Sequence, residues 1–253
     1  MSVNAASSHH RRIARSAGEL RGYGILGRMT TAVNGYDVPG YIAALRREGD
    51  LLAAAAERAG MGAGVPACPG WAVRDLLKHT GYVHRWATGY VTGGPGHRAD
   101  SESEEEILSQ GPGDAGLPGW FREGHAALVR ALSEAKPGLD TWAFLPAPSP
   151  LAFWSRRQAH ETAIHRADAE QAAGRTSASV FEPDFAADGV DELLMGFLAR
   201  SITRGRGPSL SGSLAVHAGD GADWLIAGGA AEPGVSRGAG AAQCDVTGPP
   251  GEL

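Results

Sequence analysis

The sequence contains only two cysteines, Cys68 and Cys244, and no apolar run that approaches the length of a membrane span. Two cysteines so far apart do not form a disulfide framework, so we expect a reducing compartment and a cytoplasmic protein. Residues 1–28 are basic but lack the apolar segment of a secretory signal. We interpret residues 1–34 as a flexible N-terminal extension, and its paired histidines at positions 9 and 10 as solvated rather than metal-binding.

Lysine is also scarce, because only Lys78 and Lys136 accompany the arginines among the 23 basic residues. Together with abundant alanine and glycine, this bias is typical of GC-rich bacterial genomes. The formal net charge of -5 gives no sign of the basic surface that nucleic-acid-binding proteins present. With 43% hydrophobic residues, the chain of 253 residues can bury a substantial core, which predicts one large domain or two smaller ones.

Four amphipathic segments between residues 35 and 176 predict a bundle of four helices. Capping and stop signals such as Asp37, Gly60 and Gly93 bound the first two segments. The segments are residues 41–60, 71–92, 117–135 and 151–174. The acidic run SESEEE at residues 101–106 favours a solvated loop, with a flexible cover over a site as the alternative.

Residues 177–253 carry a different pattern. DGVDELLMGFLARSI predicts one helix, while SLSGSLAVHAG and DWLIAGG predict short strands joined by a turn at residues 219–221. AAQCDVTG allows a further strand. We therefore expect the α+β fold class, with a four-helix bundle over residues 35–176 followed by a small α+β domain over residues 177–253.

A histidine interrupts the apolar stripe of the second helical segment. Leu76, His79, Val83 and Trp86 recur three or four residues apart, so His79 lies on the apolar face. A buried imidazole needs partners for its ring nitrogens, so His79 is either a core histidine bonded to a neighbouring group or a metal ligand. Taken alone, this position favours the core histidine.

The fourth helical segment changes this interpretation, because Glu161 and His165 lie one turn apart on one face. On an exposed face they would form an ordinary hydrogen bond. On an inward face, burial of a carboxylate and an imidazole is costly unless a partner stabilises both. We therefore predict one divalent metal ion held by His79, Glu161 and His165. A His₂Glu set leaves one position open for water or substrate. Asp168 either accepts a hydrogen bond from the His165 ring or forms a surface ion pair with Arg166 or with an arginine on another helix.

The segment HETAIH resembles the HExxH helix of metalloproteases but has one additional residue. On a regular helix, His160 and His165 diverge by about 140°, so they cannot share one ion. This geometry excludes a protease, and we expect His160 to pack elsewhere. His84 and His125 have no inward-facing polar partner in the sequence and are expected at the surface. Cys68 precedes the second helical segment and either approaches the site or is a structural thiol, and we expect the structural thiol.

Two segments resemble the signatures of the mycothiol-dependent maleylpyruvate isomerase family. They are CPGWAVRDLLKHTGYVHRWA and RRQAHETAIHRADAEQAAG, the second with an arginine-rich start before a His-Glu pair, a His and an Asp. The resemblance covers residues 36–175 and continues more weakly to the end of the sequence. It implies a DinB-like four-helix bundle, metal ligands at His79, Glu161 and His165, and a site-adjacent aspartate at Asp168.

The resemblance also implies a reaction. The metal is expected to be zinc. Mycothiol would supply a thiol to it, and the thiolate would add to the cis double bond of maleylpyruvate. Rotation and loss of the thiol would then give the trans product, fumarylpyruvate. Most exposed arginines only solvate a surface, but six are candidates for binding substrate carboxylates: Arg156, Arg157, Arg200, Arg204, Arg206 and Arg237.

Two alternatives to the isomerase remain open. In the first, mycothiol is transferred to another electrophile, and the protein is a mycothiol S-transferase that acts in detoxification. In the second, the protein is a non-catalytic module that binds a metal or senses a thiol. The second domain resembles the family's sterol-carrier-like domain, but the sequence ends at GPPGEL, where relatives continue into a final helix. We therefore expect a truncated α+β domain, which favours the non-catalytic alternative. For either enzyme, the expected partners are a small-molecule thiol and an electrophile, without nucleic acid or membrane.

Overall fold

Four long helices form where the apolar spacing predicts them. In the computed structural model they are α1 (Val38–Ala59), α2 (Val73–Thr92), α3 (Leu117–Glu134) and α4 (Pro150–Ala172). α1 packs mainly against α4, and α2 packs mainly against α3. One core cluster of this bundle is formed by buried residues that include Leu52, Leu76, Leu117, Phe121 and Ala169.

The structure describes residues 36–97, 106, 109, 111–176, 179–208, 211–219, 221–228 and 233–253. These residues fall into two compact units, the first of residues 38–143 and 148–176, and the second mainly of residues 144–147 and 179–253. The predicted extension over residues 1–34 and most of the acidic run at residues 101–106 lie outside the described residues. No described helix is both long enough and apolar enough to cross a membrane.

A buried charge network joins α1 to α4. Nε of Arg166 lies 2.8 Å from Oε2 of Glu48, with side chains that are 4% and 2% exposed. Arg166 also lies 3.4 Å from Glu170, which in turn pairs with Arg175 at 3.1 Å. Removing one member would leave a buried charge uncompensated. Arg166 is therefore committed to this network, and the surface pair with Asp168 that we considered is replaced by it.

The second unit consists of a helical stretch and a four-stranded sheet. The helical stretch comprises α5 (Pro183–Asp191), a π-helical segment (Glu192–Leu198) and α6 (Ala199–Thr203), where the sequence predicts one regular helix. The strands are β1 (Leu214–Ala218), β2 (Ala222–Ala227), β3 (Gly234–Arg237) and β4 (Cys244–Gly248), followed by a 3₁₀ turn (Pro250–Glu252). The sheet order is β3-β2-β1-β4. Only the β1–β4 pair is parallel.

Apolar residues of the sheet and of the helical stretch form the core of the second unit. Val216, Trp224 and Ile226 from the sheet pack with Ala187 and Leu194. β1, β2 and β4 lie in the segments that predict them. β3 was not predicted, because its four residues include a glycine and an arginine and carry no alternating apolar pattern.

Candidate metal centre

The start of α2 sets the position of His79. The backbone N–H of Ala72 donates to Oδ2 of Asp75 at 2.9 Å, and a carboxylate in the first turn also suits the positive end of the helix. From this start, Leu76 and Val83 are buried on the face that carries His79. His79 itself is buried, with 5% exposure.

A serine sets the start of α4. Oγ of Ser149 accepts a hydrogen bond from the backbone N–H of Ala152 at 3.1 Å, and Pro150 follows in the first turn, where its missing N–H costs nothing. The helix then continues without a break through Glu161 and His165, which lie one turn apart. Most residues of α4 are buried, and the side chains of Glu161 and His165 are largely buried with them.

The two helices bring the three predicted ligands to one point. Nε2 of His79 and Nε2 of His165 each lie 3.2 Å from the same oxygen, Oε1 of Glu161. One ligand atom from each residue lies within 4.8 Å of the other two. The two imidazole rings meet edge to face, with centroids 5.1 Å apart. Among the described residues, no other set of three such side chains converges in this way.

The donor atoms fit a small divalent ion. Ligands at about 2.0–2.1 Å from a tetrahedral zinc ion lie about 3.4 Å from one another, close to the nitrogen–oxygen separations found here. Two imidazole nitrogens and one carboxylate oxygen are also donors that zinc accepts. The arrangement therefore matches a three-ligand site with one further position for an exogenous group.

The charges around Glu161 favour its ionised form. Burial alone would raise the pKa of Glu161, but the Arg157 guanidinium and the hydrogen bonds with His165 and His79 hold that pKa well below its usual value. Arg157 contacts the other carboxylate oxygen, Oε2, through Nη2. Sequence reasoning offered Arg157 only as a substrate-binding candidate, although its position four residues before Glu161 is the spacing of a helical ion pair.

Asp168 lies behind His165. Its Oδ2 is 2.9 Å from Nδ1 of His165, so an Nδ1–H group can donate to the carboxylate while Nε2 faces Glu161. Burial lowers the pKa of His165, but the hydrogen bonds to Asp168 and Glu161 more than offset this and raise it to about 9. Sγ of Cys68 lies 4.0 Å from the same oxygen of Asp168. An aspartate in this place fixes the tautomer of a ligating histidine.

The family model of the mycothiol maleylpyruvate isomerase N-terminal domain matches residues 42–170, which is half of the chain. The chain belongs to this family. The predicted membership is thereby confirmed.

Two solved structures share the fold over 88% of this chain. The crystal structure of the mycothiol-dependent maleylpyruvate isomerase aligns with a TM-score of 0.58 and 15% identity, over 88% of this chain and 89% of that chain. A mutant of that isomerase aligns over the same shares, with a TM-score of 0.59 and 14% identity. No curated protein matches the sequence significantly. The predicted fold class, a helical bundle followed by a small α+β domain, is confirmed.

In this family member, His160 lies apart from the three converging side chains. Its ring packs against Tyr41 of α1, with centroids 6.1 Å apart and planes at 72°. The regular geometry of α4 thus separates His160 from His165, as the five-residue spacing predicts, and a metalloprotease pair does not form.

The prediction for His84 and His125 was wrong, because both histidines are buried. Nε2 of His84, which is 0% exposed, lies 2.9 Å from Oγ1 of Thr162, and the Thr162 hydroxyl donates its proton to the Gln158 carbonyl at 2.7 Å. His84 must therefore be the donor in its bond. Nε2 of His125 lies 3.0 Å from the carbonyl of Leu45. The partners come from other helices, which the local sequence around each histidine does not reveal.

A glycine of α1 provides the space for the His125 ring, which comes from α3. A Cβ atom added at Gly49 would lie 2.2 Å from Nε2 of His125, so the imidazole fills the space that a side chain would occupy. A glycine in the interior of α1 costs helical stability by about 1 kcal/mol relative to alanine. That glycine was the one available signal for a ring packed against α1.

The buried histidines predict a loss of stability in acid. Burial, and then the neighbouring charge of His125, hold the pKa of His84 well below the ordinary histidine value of 6.5, so the unfolded chain binds more protons once the pH falls below that value. We expect the free energy of unfolding to fall below pH 6.5, by up to about 1.4 kcal/mol per pH unit for this group. Denaturant titrations between pH 7 and pH 5 measure this change in the free energy of unfolding.

The variant His84→Phe isolates this contribution, because the ring keeps its packing and the Thr162 hydroxyl keeps its own acceptor. The pH dependence of the variant should be shallower by that amount below pH 6.5. His165 does not interfere, since its raised pKa of about 9 makes its contribution vary between pH 6.5 and about 9, in the opposite direction. Parallel curves for wild type and variant would contradict the assignment of the acid loss to His84.

Two of the arginines considered for substrate binding in the second unit have partners within it. Arg237 donates two hydrogen bonds to Asp191, through Nε and Nη2, each at 2.6 Å. Arg200 donates to the backbone carbonyl of Phe144. Both contacts connect elements of the second unit, so each side chain has a structural role.

Asp168→Asn tests the support behind His165. The amide keeps the size of the side chain but loses the charge that holds the imidazole proton on Nδ1. We expect the affinity for zinc to fall by about 10–100-fold, the usual cost of losing such a partner. Competition with a chromogenic chelator measures this affinity. Asp140→Asn, at an exposed position, is the matched control, and equal affinities for the two variants would show that Asp168 does not support the site.

Proposed function

We propose that this chain is a metal-dependent, thiol-using enzyme, and that it is a mycothiol-dependent maleylpyruvate isomerase. The observation that carries this proposal is the meeting of two imidazole nitrogens, each 3.2 Å from one carboxylate oxygen, inside the family's helical bundle. Membership of the family supports the thiol cofactor, and the donor set supports the metal.

His79, Glu161 and His165 would hold the ion, and zinc is the metal we propose because its protein sites combine histidine nitrogens and carboxylate oxygens. When bound, the ion would act as a Lewis acid that lowers the pKa of a coordinating thiol, so that the thiol releases its proton to solvent and becomes a nucleophile for reversible addition to a cis double bond. Three protein ligands leave room for such an exogenous group.

The remaining chemistry belongs to the residues around these ligands. Asp168 accepts a hydrogen bond from Nδ1–H of His165, which would leave Nε2 of the neutral ring as the nitrogen that binds the ion. Arg157 balances the charge of Glu161 and keeps that carboxylate ionised. Burial of the Glu161, His79 and His165 side chains limits access of water, which strengthens each of these electrostatic interactions.

The test is a thiol-dependent turnover assay on the zinc-loaded full chain. Maleylpyruvate and mycothiol are supplied, and formation of the trans isomer is followed. We expect turnover that requires both the thiol and the metal. Conjugation of a model electrophile without isomerisation would instead support a mycothiol S-transferase. Metal binding without thiol-dependent turnover of either kind would support a non-catalytic module and contradict the enzyme.

A further inference from the structure

The two oxygens of Glu161 have different partners. Oε1 faces the two imidazoles, with both Nε2 atoms at 3.2 Å. Oε2 contacts Nη2 of Arg157, one turn earlier on α4. The carboxylate therefore has one oxygen directed into the cluster and the other directed at a guanidinium.

The ion pair is well shielded from water. The Arg157 side chain is 13% exposed and that of Glu161 is 9% exposed, so solvent screens the attraction far less than it does for a surface pair. Helix stability does not explain the pair, because a basic residue before an acidic one is the less favourable order at this spacing. A buried pair is also costly to form, so a role in the site is the better reason for it.

We propose that Arg157 is a positioning residue that restricts Glu161 to one metal-binding oxygen and thereby keeps a coordination position open for the thiol. A carboxylate binds a divalent ion through one or both oxygens. With Oε2 committed to Arg157, only Oε1 is available beside His79 and His165. Without the guanidinium, Oε2 is released and occupies the position that an exogenous ligand needs, while the extra negative charge strengthens metal binding.

This inference rests on the proposed metal site, and cobalt tests it without any turnover assay. Co²⁺ is added to the full chain as wild type, as Arg157→Gln and Arg157→Met, and as the control Arg130→Gln, which removes the same charge at an exposed position of α3. The visible absorption of Co²⁺ reports its coordination number, and 2-mercaptoethanol, the thiol probe, gives a charge-transfer band when it joins the ion.

We expect wild type and Arg130→Gln to show intense four-coordinate bands and to bind the thiol. The Arg157 variants should bind Co²⁺ at least as tightly, show weaker bands of higher coordination number, and bind the thiol at least about tenfold more weakly, since an added protein ligand leaves no open position. Arg157→Lys, which restores a cation near Oε2, should recover much of the thiol affinity.

Several outcomes would overturn the proposal. An Arg157 variant that folds, as judged by circular dichroism, and keeps the wild-type spectrum and thiol affinity would do so. Loss of Co²⁺ binding in a folded variant would instead make Arg157 a residue that the ion needs. Failure of both variants to fold would make it a structural residue. Wild type that binds no Co²⁺ would remove the metal site as well, whereas wild type that binds Co²⁺ and thiol without isomerising maleylpyruvate leaves the positioning role intact.

Discussion

Replacing Glu161 with glutamine should abolish metal-dependent activity. The amide has the shape of the carboxylate but no charge, so the cluster keeps two imidazoles and loses the anion that would balance a divalent cation. Losing a partner that only supports a metal ligand already costs about 10–100-fold, so we expect losing the ligand itself to lower kcat/KM for thiol-dependent isomerisation by more than about 1,000-fold. The affinity for zinc, measured by competition with a chelator, should fall in parallel.

The control for this variant is Glu134→Gln, which makes the same chemical change at an exposed position near the end of α3. It should retain wild-type metal affinity and activity. Circular dichroism and thermal unfolding separate loss of the site from loss of the fold. Full metal affinity in a folded Glu161→Gln protein would rule this residue out as a ligand.

Among the substitutions for which we predict a change in stability, Asp191→Ala should lower the free energy of unfolding most. Asp191 is 1% exposed and accepts hydrogen bonds from the Trp224 indole at 3.0 Å and from Arg237 at 2.6 Å. It therefore ties the helical stretch of the second unit to β2 and β3. Breaking a buried pair by removing one partner costs about 3–5 kcal/mol. The Arg237 side chain is 29% exposed and keeps some hydration, so we expect about 3 kcal/mol.

Chemical denaturation measures this loss as a shift in the unfolding midpoint. Asp191→Asn should be intermediate, because the amide oxygen can still accept the indole hydrogen bond while the charge is gone. Asp184→Ala, at an exposed position in the first turn of α5, should cost less than about 1 kcal/mol. If Asp191→Ala and Asp184→Ala unfold at the same midpoint, Asp191 does not connect these elements as described.

The sequence predicts the converging side chains because their positions depend on local rules. His79 follows from a stripe of residues three and four apart on α2, and Glu161 with His165 follows from one turn of α4. Helix geometry also separates His160 from this set. The step from two faces to one meeting point needs the pairing of helices, and here the resemblance to the family supplied what spacing alone left open.

The wrong and missing predictions concern contacts between distant parts of the chain. His84 and His125 are buried because their partners, Thr162 and the Leu45 carbonyl, lie on other helices. Polar side chains are mostly exposed in folded proteins. A histidine without a polar partner near it in the sequence is therefore predicted at the surface, and the error follows from applying this rule.

The second unit shows the same limit. The acid closest to Arg237 in the sequence is Glu232, but the partner of Arg237 is Asp191, 46 residues away. Asp191 is reached only through the pairing of β3 with β2 and the packing of the sheet on the helical stretch. The π-helical segment within residues 192–198 also has no signal in the apolar spacing, which fits a regular helix. Burial and pairing over long separations decide these features, and local propensity does not.

The most direct test of the account is the metal content of the purified protein. The central claim is that His79, Glu161 and His165 together hold one divalent ion. Elemental analysis should find close to one metal per chain in wild type and in His160→Ala, whose ring packs against Tyr41, and should find most of it lost in His165→Ala. Equal metal content in wild type and His165→Ala would contradict the account.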